Sequence, residues 1–576
     1  MESENLINIF SSSTSFLVIF FFLAGCFSII NQSIYFTYFW QLKEYRLDRM
    51  NDFLLTRSGL AKVFPKFWGL KMILAVLTFL IIFLSGAVTI KSAIIFWVPL
   101  VAGFSWLVEI ADFLLRMKQK KIYRPDKTSK SILIVLLTLL PLLLLFAYAC
   151  FYLAQADILT SLAKDVIVLW LISMAVFPFN ALVIFLFWPI TLFEKHRAIT
   201  KAARKIAKMQ GLRVVGITGS YGKSSTKEFL SAILESKFKV LKTPGNTNTD
   251  IGVAGVVMKE LKPEHEVFIV EAGAYKIGEI KKIVDLVKPR IGIITAVKDA
   301  HLGLFGSLEN IKKAKFELIE GLPEFGSAIF NSDSEGAEYL AELTEEKKLA
   351  KVIRYSTDAT ADEGLGKKNS LVACNIVVEK EKVSFEVSGV RFELMVCGKQ
   401  SVSSALAAIA AAQEFGINLN EMVMPLRSAR LREHTMTLKK ASKDLWLIDD
   451  TYNANPDGVM AGLEYLQDAY ADWQKIIIFP GMLELGEMSS QEHQRVAKKI
   501  AQVCDFAIFT LRDFEKEIFA GLSQANYDGH REFKDYRFIE GNQKAVLAEL
   551  KLKTAGQKTV ILFISRGAEL VIKGLL

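Results

Sequence analysis

Val214-Val215-Gly216-Ile217-Thr218-Gly219-Ser220-Tyr221-Gly222-Lys223-Ser224-Ser225-Thr226 is the stretch on which the reading of this chain turns. A β-branched run feeds a glycine turn, and Lys-Ser opens a helix-forming segment directly after it. Such a strand, turn and helix make a phosphate cradle. Glycines let backbone N–H groups close around phosphate oxygens, and the helix N-terminus adds partial positive charge. Lys223 supplies a full charge, and the Ser224 hydroxyl is placed to hold Mg²⁺. Thr218, Gly219, Ser220, Gly222 and Ser225 complete the expected nucleotide contact. The strict phosphate-loop pattern is not met, because Ile217 stands where its first glycine belongs.

Downstream, short apolar runs alternate with helical segments: Val267 to Val270, Ile291 to Thr295, Ala328 to Phe330, Leu445 to Ile448, Ile476 to Phe479, Phe506 to Thr510 and Val560 to Ile564. This pattern predicts α/β domains with mainly parallel sheets. Pro425, after the Ala-rich helix predicted over Ser403 to Phe415, marks a domain boundary near 425–432. Ligands of open parallel sheets bind at the carboxyl ends of strands. Glu271, His301, Asn331 and Asp333 fall at such ends. Each alone reads as a helix-end carboxylate, a loop residue or a turn former; together, behind a phosphate cradle, they point to a Mg²⁺–nucleotide site.

The first third of the chain differs in kind. The protein has 576 residues, 52% of them hydrophobic, and a positive mean hydropathy, too apolar for an ordinary soluble chain of this length. Five apolar runs carry the excess: Ser15 to Tyr38, Met72 to Ile90, Ala93 to Leu115, Ile132 to Leu153 and Val166 to Phe193. Each is long enough to cross a hydrocarbon core of roughly 30 Å. A cleaved signal peptide does not fit, since Glu2 and Glu4 precede the first run without a basic residue. Basic loops around Lys43 to Lys66, Arg116 to Lys130 and Lys195 to Lys208 orient the spans. The N-terminus is expected outside, and everything past residue 195 in the cytoplasm.

The net charge of +9 has much of its excess in those loops, so it marks topology and lipid contact, with no nucleic-acid partner expected. Glu109 and Asp112 are the ionisable residues inside the third span; snorkelling or pairing with the cluster Arg116 to Lys121 is the expected account. The five cysteines show no metal-ligand spacing and no disulfide framework. The fold class expected is therefore multi-domain: an α-helical transmembrane bundle (1–195), an α/β phosphate-loop domain (196–427) and an α/β, Rossmann-like C-terminal domain (428–576).

From residue 211 to 565 the motifs resemble the Mur ligase family, most closely its D-alanyl-D-alanine-adding branch. They run in family order: GITGSYGKSST, TPGNTNTDIGV at 243–253, VEAGAYKIGEI at 270–280, HLGLFGSLENIKKAKFEL at 301–318, FNSD at 330–333, IDDTYNANPDG at 448–458 and GMLELGE at 481–487. The resemblance implies ATP-dependent amide-bond formation through an acyl phosphate, with an envelope precursor as carboxylate donor and an amino acid or dipeptide as amine. It implies Ser224 and Glu271 on a first Mg²⁺, His301 on a second, and Lys315 carbamylated as a further metal-binding anion. Lys223 contacts the phosphates and Asn331 the adenine. Arg432 reaches the phosphates from the domain hinge, with Arg427 and Arg430 as alternatives, and Asp450 closes onto the nucleotide. Asn453, Asn455 and Arg566 fall on the substrate side.

Three departures accompany the resemblance. The apolar spans stand where the family has its UDP-binding domain, which leaves a UDP-linked or a lipid-linked acceptor open. Gly398-Lys399-Gln400-Ser401-Val402-Ser403-Ser404 replaces a family His and two Asn, and the C-terminal Lys-Gly-Ser-Arg motif is reduced to Ser565-Arg566. The rival readings are a capsule-type polyglutamate ligase, against which the YNANP and MLELGE stretches speak, an ATP-driven flippase of an envelope intermediate, and a non-catalytic scaffold.

Overall fold

The computed structural model describes residues 2–43, 45, 47–55, 57–64, 68–69, 71–74, 76–77, 86–118, 122–153, 158–245, 247–298, 302–358, 370–451, 454–482, 485–527, 533, 535–564 and 568–576. The chain divides into two units, Met1–Glu194 and Lys195–Leu576.

The first unit is helical: Glu2–Leu42, Leu47–Leu55, Arg57–Val63, Gly86–Lys118, Ser129–Leu153 and the start of Ile158–Ala207. Each helix satisfies its backbone groups internally while presenting mostly Leu, Ile, Val and Phe side chains, and Pro99, Pro141, Pro178 and Pro189 are accommodated inside them. Among the described residues, Ile19–Leu42 and Val168–Ala207 are long and apolar enough to cross a membrane, and Ser129–Leu145 is a shorter apolar stretch. The middle of the span expected over Met72 to Ile90 lies outside the described residues.

Aromatic side chains fill the unit's interior, with Phe36, Trp106 and Trp170 at 3% exposure or less. Two acidic residues part company here. Asp112 pairs with Arg116 one turn on, as expected. Glu109 does not snorkel or join that cluster. It is buried against Lys71, 3.1 Å away, and takes hydrogen bonds from Ser28 (2.7 Å), Gln32 (3.3 Å) and Asn31 (3.4 Å). In an apolar interior a carboxylate is tolerable only with such a full set of partners.

The second unit holds two sheets. The larger contains β1 (Arg213–Thr218), β2 (Val240–Lys242), β3 (Val267–Glu271), β4 (Ile291–Ile294), β5 (Ser327–Asn331), β6 (Lys351–Ser356), β7 (Ser370–Val378), β8 (Val383–Val387) and β9 (Val390–Leu394). Its order is β2-β3-β1-β4-β5-β6-β7-β8-β9, parallel as far as β7, with β8 and β9 added antiparallel. The smaller contains β10 (Thr437–Lys440), β11 (Leu445–Asp450), β12 (Gln474–Phe479), β13 (Phe506–Phe509), β14 (Tyr536–Phe538) and β15 (Thr559–Ile564), in the order β10-β11-β15-β12-β13-β14. It is parallel except at β10.

The central strands are buried throughout, which is why they read as unbroken apolar runs. Helices cover both faces of the larger sheet. On one face Phe229 and Leu230 meet the Ala-rich helix Gln400–Gln413. On the other, Val253, Val257, Ile283 and Leu318 meet Ala202, so the end of the helix Ile158–Ala207 is part of this unit's core. Because β1 lies between β3 and β4, the chain departs to opposite sides around it, and ligands of such sheets bind in the crevice at the strand ends there.

Candidate functional site

The crevice is floored by the turn after β1. Gly219 has φ +153°, and a Cβ there would lie 2.0 Å from Thr295 Oγ1, so only glycine fits. Gly222, at φ +80°, precedes the helix Lys223–Leu234. The turn is laced to the segment after β4. Ser220 N donates to Ala296 O (2.8 Å), Ser220 Oγ donates to Lys298 O (2.9 Å) and accepts from Lys298 N (3.0 Å), and Thr295 Oγ1 donates to Tyr221 O. Thr218 Oγ1 is buried without a hydrogen-bond partner among the described residues. A shielded hydroxyl left open at the cradle floor fits a site built for a polar ligand.

Lys223 folds back so that its Nζ donates to Gly219 O (2.6 Å). Burial lowers its pKa, and the Glu271 charge opposes that shift. At the end of β3, Glu271 is 3% exposed, and its Oε2 accepts from Ser224 Oγ (2.9 Å) and Lys227 Nζ (3.1 Å). Lys227 also donates to Gly245 O (3.0 Å). Lys315, on the helix Leu308–Glu320, is 6% exposed. Burial, and then the Lys223 charge, hold its pKa well below the usual lysine range, toward the neutral amine.

Asn331 ends β5, buried beneath the turn. Its Nδ2 donates to Thr295 O (2.9 Å) and Ser403 Oγ (3.3 Å), and its Oδ1 accepts from Asp333 N (3.1 Å). The Arg432 guanidinium comes within 3.8 Å of where a Cβ on Gly245 would stand, beside the turn that Lys227 touches. Asp450, at the end of β11, accepts from Met436 N (3.2 Å). Burial pushes its carboxyl up to about 7, with the charge on Asp449 adding to the effect. Asp449 itself is fully buried and held by Lys439 (2.6 Å), His434 (2.9 Å) and Thr451 (2.6 Å).

The structure thus brings Lys223, Ser224 and Glu271 together, sets Lys315 within electrostatic reach of Lys223, and seats Asn331 beneath them. Ser225 occupies the first turn of the same helix. Asn455, expected on the substrate side, caps the helix Pro456–Ala469 by accepting from Gly458 N (2.8 Å). His301, Asn453 and Arg566 lie outside the described residues.

Lys227 was absent from the sequence expectations, although its place four residues after Lys223 puts it on the same helix face. Thr295 and Lys298 were missed as well; their roles depend on chain crossings that no local spacing reports. Lys298 Nζ also meets Asp457 Oδ1 at 3.1 Å, tying the turn's neighbour to the helix Pro456–Ala469. Among the described residues no three His, Cys, Asp or Glu converge as a ready metal cage. The Ser224–Glu271 oxygen pair suits Mg²⁺, which takes one or two protein oxygens and fills its octahedron with water and phosphate.

Comparison with known proteins bears on these motifs. The Mur ligase middle domain matches residues 217–412, and the Mur ligase glutamate ligase domain matches residues 436–567. The chain belongs to the Mur ligase family. The Mycobacterium tuberculosis UDP-N-acetylmuramoyl-tripeptide–D-alanyl-D-alanine ligase is 32% identical over 311 residues, covering 52% of this chain and 59% of that protein. The Bacillus subtilis enzyme of the same name is 29% identical over 377 residues, 65% of this chain and 77% of that one. Among solved structures, MurF from Acinetobacter baumannii superposes with a TM-score of 0.58 at 26% identity, covering 66% of this chain and 80% of its own. This Mur ligase chain therefore spans about three-fifths of the length of the mycobacterial relatives it matches.

Proposed function

We propose that this Mur ligase chain is a membrane-attached, MurF-like, ATP-dependent ligase that joins an amine to a carboxylate of an envelope precursor, in peptidoglycan or a related synthesis. The observation that carries the reading is the convergence of Lys223, Ser224 and Glu271 at a glycine-built phosphate turn, with Lys315 held toward its neutral form beside them.

A carboxylate repels the triphosphate it must attack, so the site's first task is to neutralise charge. Lys223, drawn from Gly219 O to the phosphates, does this from one side. Mg²⁺ would be held by Ser224 and Glu271 and would offset phosphate charge. His301 would take a second ion. A neutral Lys315 amine is competent to add CO₂, lose a proton and become a carbamate, which converts a cation into an anion suited to metal binding. The acceptor carboxylate oxygen attacks the γ-phosphorus and ADP leaves. The amine nitrogen then attacks the acyl carbon, and phosphate departs with the former carboxylate oxygen as the amine loses a proton. Arg432 and Asp450 act from the C-terminal side when the domains close.

Membrane attachment is supported by the basic clusters flanking the apolar runs, by the two long apolar helices, and by outward-facing apolar side chains such as Leu23, Leu140 and Leu144, each 60% exposed. The N-terminus would lie outside, with the catalytic unit at the cytoplasmic face. The amine is D-alanyl-D-alanine by the names of the relatives, and the acceptor is UDP-linked or, given the membrane unit, lipid-linked. Incubating the detergent-solubilised chain with ATP, Mg²⁺, D-alanyl-D-alanine and each acceptor, with product mass read out, tests this. One dipeptide added to an acceptor is the expected result; ATP turnover with neither acceptor modified overturns the reading.

A further inference from the structure

The loop between β2 and the helix Asp250–Lys259 grips Glu271 from two sides. Thr243 Oγ1 accepts from Glu271 N (3.1 Å), and Asn248 O accepts from Gly273 N (2.9 Å) just beyond it. Gly245 O accepts from Lys227, which is itself paired with Glu271. A Cβ on Gly273 would lie 2.8 Å from the Asn248 side chain, so loop and strand end are in close contact. The loop thus touches both the backbone that carries the carboxylate and the lysine paired with it.

The far end of the loop is fastened by the last turns of the helix Ile158–Ala207. Lys195 Nζ sits 2.9 Å from Asp250 Oδ1, and Asp250 is only 9% exposed. Lys205 Nζ donates to Val257 O (2.8 Å), and Ala202, fully buried, packs with Val253, Ala254 and Val257. Thr249 caps the helix that follows, its Oγ1 accepting from Gly252 N. Cap, ion pair and packed face fix where the loop ends. Lys195 is the contact whose charge acts on Asp250, the residue where the loop passes into the helix.

We propose that residues 195–207 are a strut of the catalytic unit and that Lys195 is a positioning residue, which through Asp250 sets the Thr243–Asp250 loop and hence the placing of Lys227 and Glu271. A segment of the chain that begins after residue 195 then loses more than an anchor, because the loop beside the metal-holding carboxylate loses its outer tie. The consequence for nucleotide binding rests on the ligase reading above; the consequence for the loop does not.

The test uses the full chain in detergent, as wild type, Lys195→Met, Lys195→Arg, Asp250→Asn and the Lys195→Met/Asp250→Asn double variant. Hydrogen exchange across residues 243–250 and 271–273 reads the loop, and the gain in affinity for a fluorescent ATP analogue on adding Mg²⁺ reads the carboxylate. Expected are faster exchange and a Mg²⁺-dependent gain reduced about two- to fivefold in Lys195→Met, the range set by a partly exposed ion pair. Lys195→Arg restores both, the double variant is no worse than either single one, and affinity without Mg²⁺ and melting temperature stay unchanged. Unchanged exchange, an unchanged Mg²⁺-dependent gain, or additive single effects overturn the proposal. A wild type that binds no nucleotide, while Lys195→Met still loosens the loop, sinks the ligase reading and leaves the strut standing.

Discussion

Lys71–Glu109 in the helical unit and Lys227–Glu271 in the α/β unit are both 3.1 Å ion pairs whose side chains are at most 4% exposed. Their surroundings differ. Glu109 is ringed by neutral donors, with Ser28 Oγ also accepting from Lys71 (3.1 Å) and from Gln32 (2.9 Å), so the cluster closes on itself across three stretches of chain. One Glu271 oxygen instead takes both Ser224 and Lys227, and both belong to the helix that opens at the phosphate turn. The first arrangement holds helices together; the second holds ligand-binding groups in readiness. A buried ion pair is thus not a single kind of object, and its partners say which kind it is.

The largest expected effect breaks the first pair. Glu109→Leu leaves Lys71 charged and uncompensated in an apolar interior and is expected to lower unfolding stability by about 3–5 kcal/mol, while Lys71→Met/Glu109→Leu recovers most of the loss. Glu271→Gln, read by thermal unfolding in detergent alongside it, keeps an amide oxygen to accept from Ser224 and Lys227 and is expected to lose clearly less stability than Glu109→Leu while losing Mg²⁺-dependent nucleotide binding. Equal melting losses for Glu109→Leu and Glu271→Gln would erase the distinction between the two pairs.

A smaller effect comes from a third carboxylate, Asp450, with which no cation is paired among the described residues. Its folded pKa, about 7, lies above its unfolded value of about 3.8. The folded state then binds more protons between those values, so this group's contribution to stability is full below pH 4 and falls as pH rises to 7. Asp450→Asn is expected to match wild type near pH 4 and to exceed it by on the order of 1–3 kcal/mol at pH 8, flattening the profile measured by denaturant unfolding. A parallel profile in the two proteins would mean that Asp450 is not desolvated.

The contrast also marks what could be read in advance. β1, β3, β4, β5 and β15 announce themselves as short, mainly apolar runs because both faces are covered, and Gly219 to Ser224 form a motif because a phosphate cradle needs those types in that order. β7 to β9 did not, since Ser370–Val378 mixes buried and exposed positions and its partners lie within a charged stretch. Lys71 gave no signal either. Its partner is 38 residues away, and the pairing is set by helix packing. The same limit hid Thr295 and Lys298, which matter only because β4 ends beside the phosphate turn. Local chemistry was legible; pairings made by tertiary packing were not.

The central claim is that triphosphate is spent to activate a carboxylate. Its most direct test supplies the acceptor with both oxygens of the reacting carboxylate labelled with ¹⁸O, together with ATP, Mg²⁺ and the amine, and weighs the phosphate released. The account predicts inorganic phosphate carrying one ¹⁸O, left behind when the amine displaces it. Unlabelled phosphate, the product of attack by water, would contradict it.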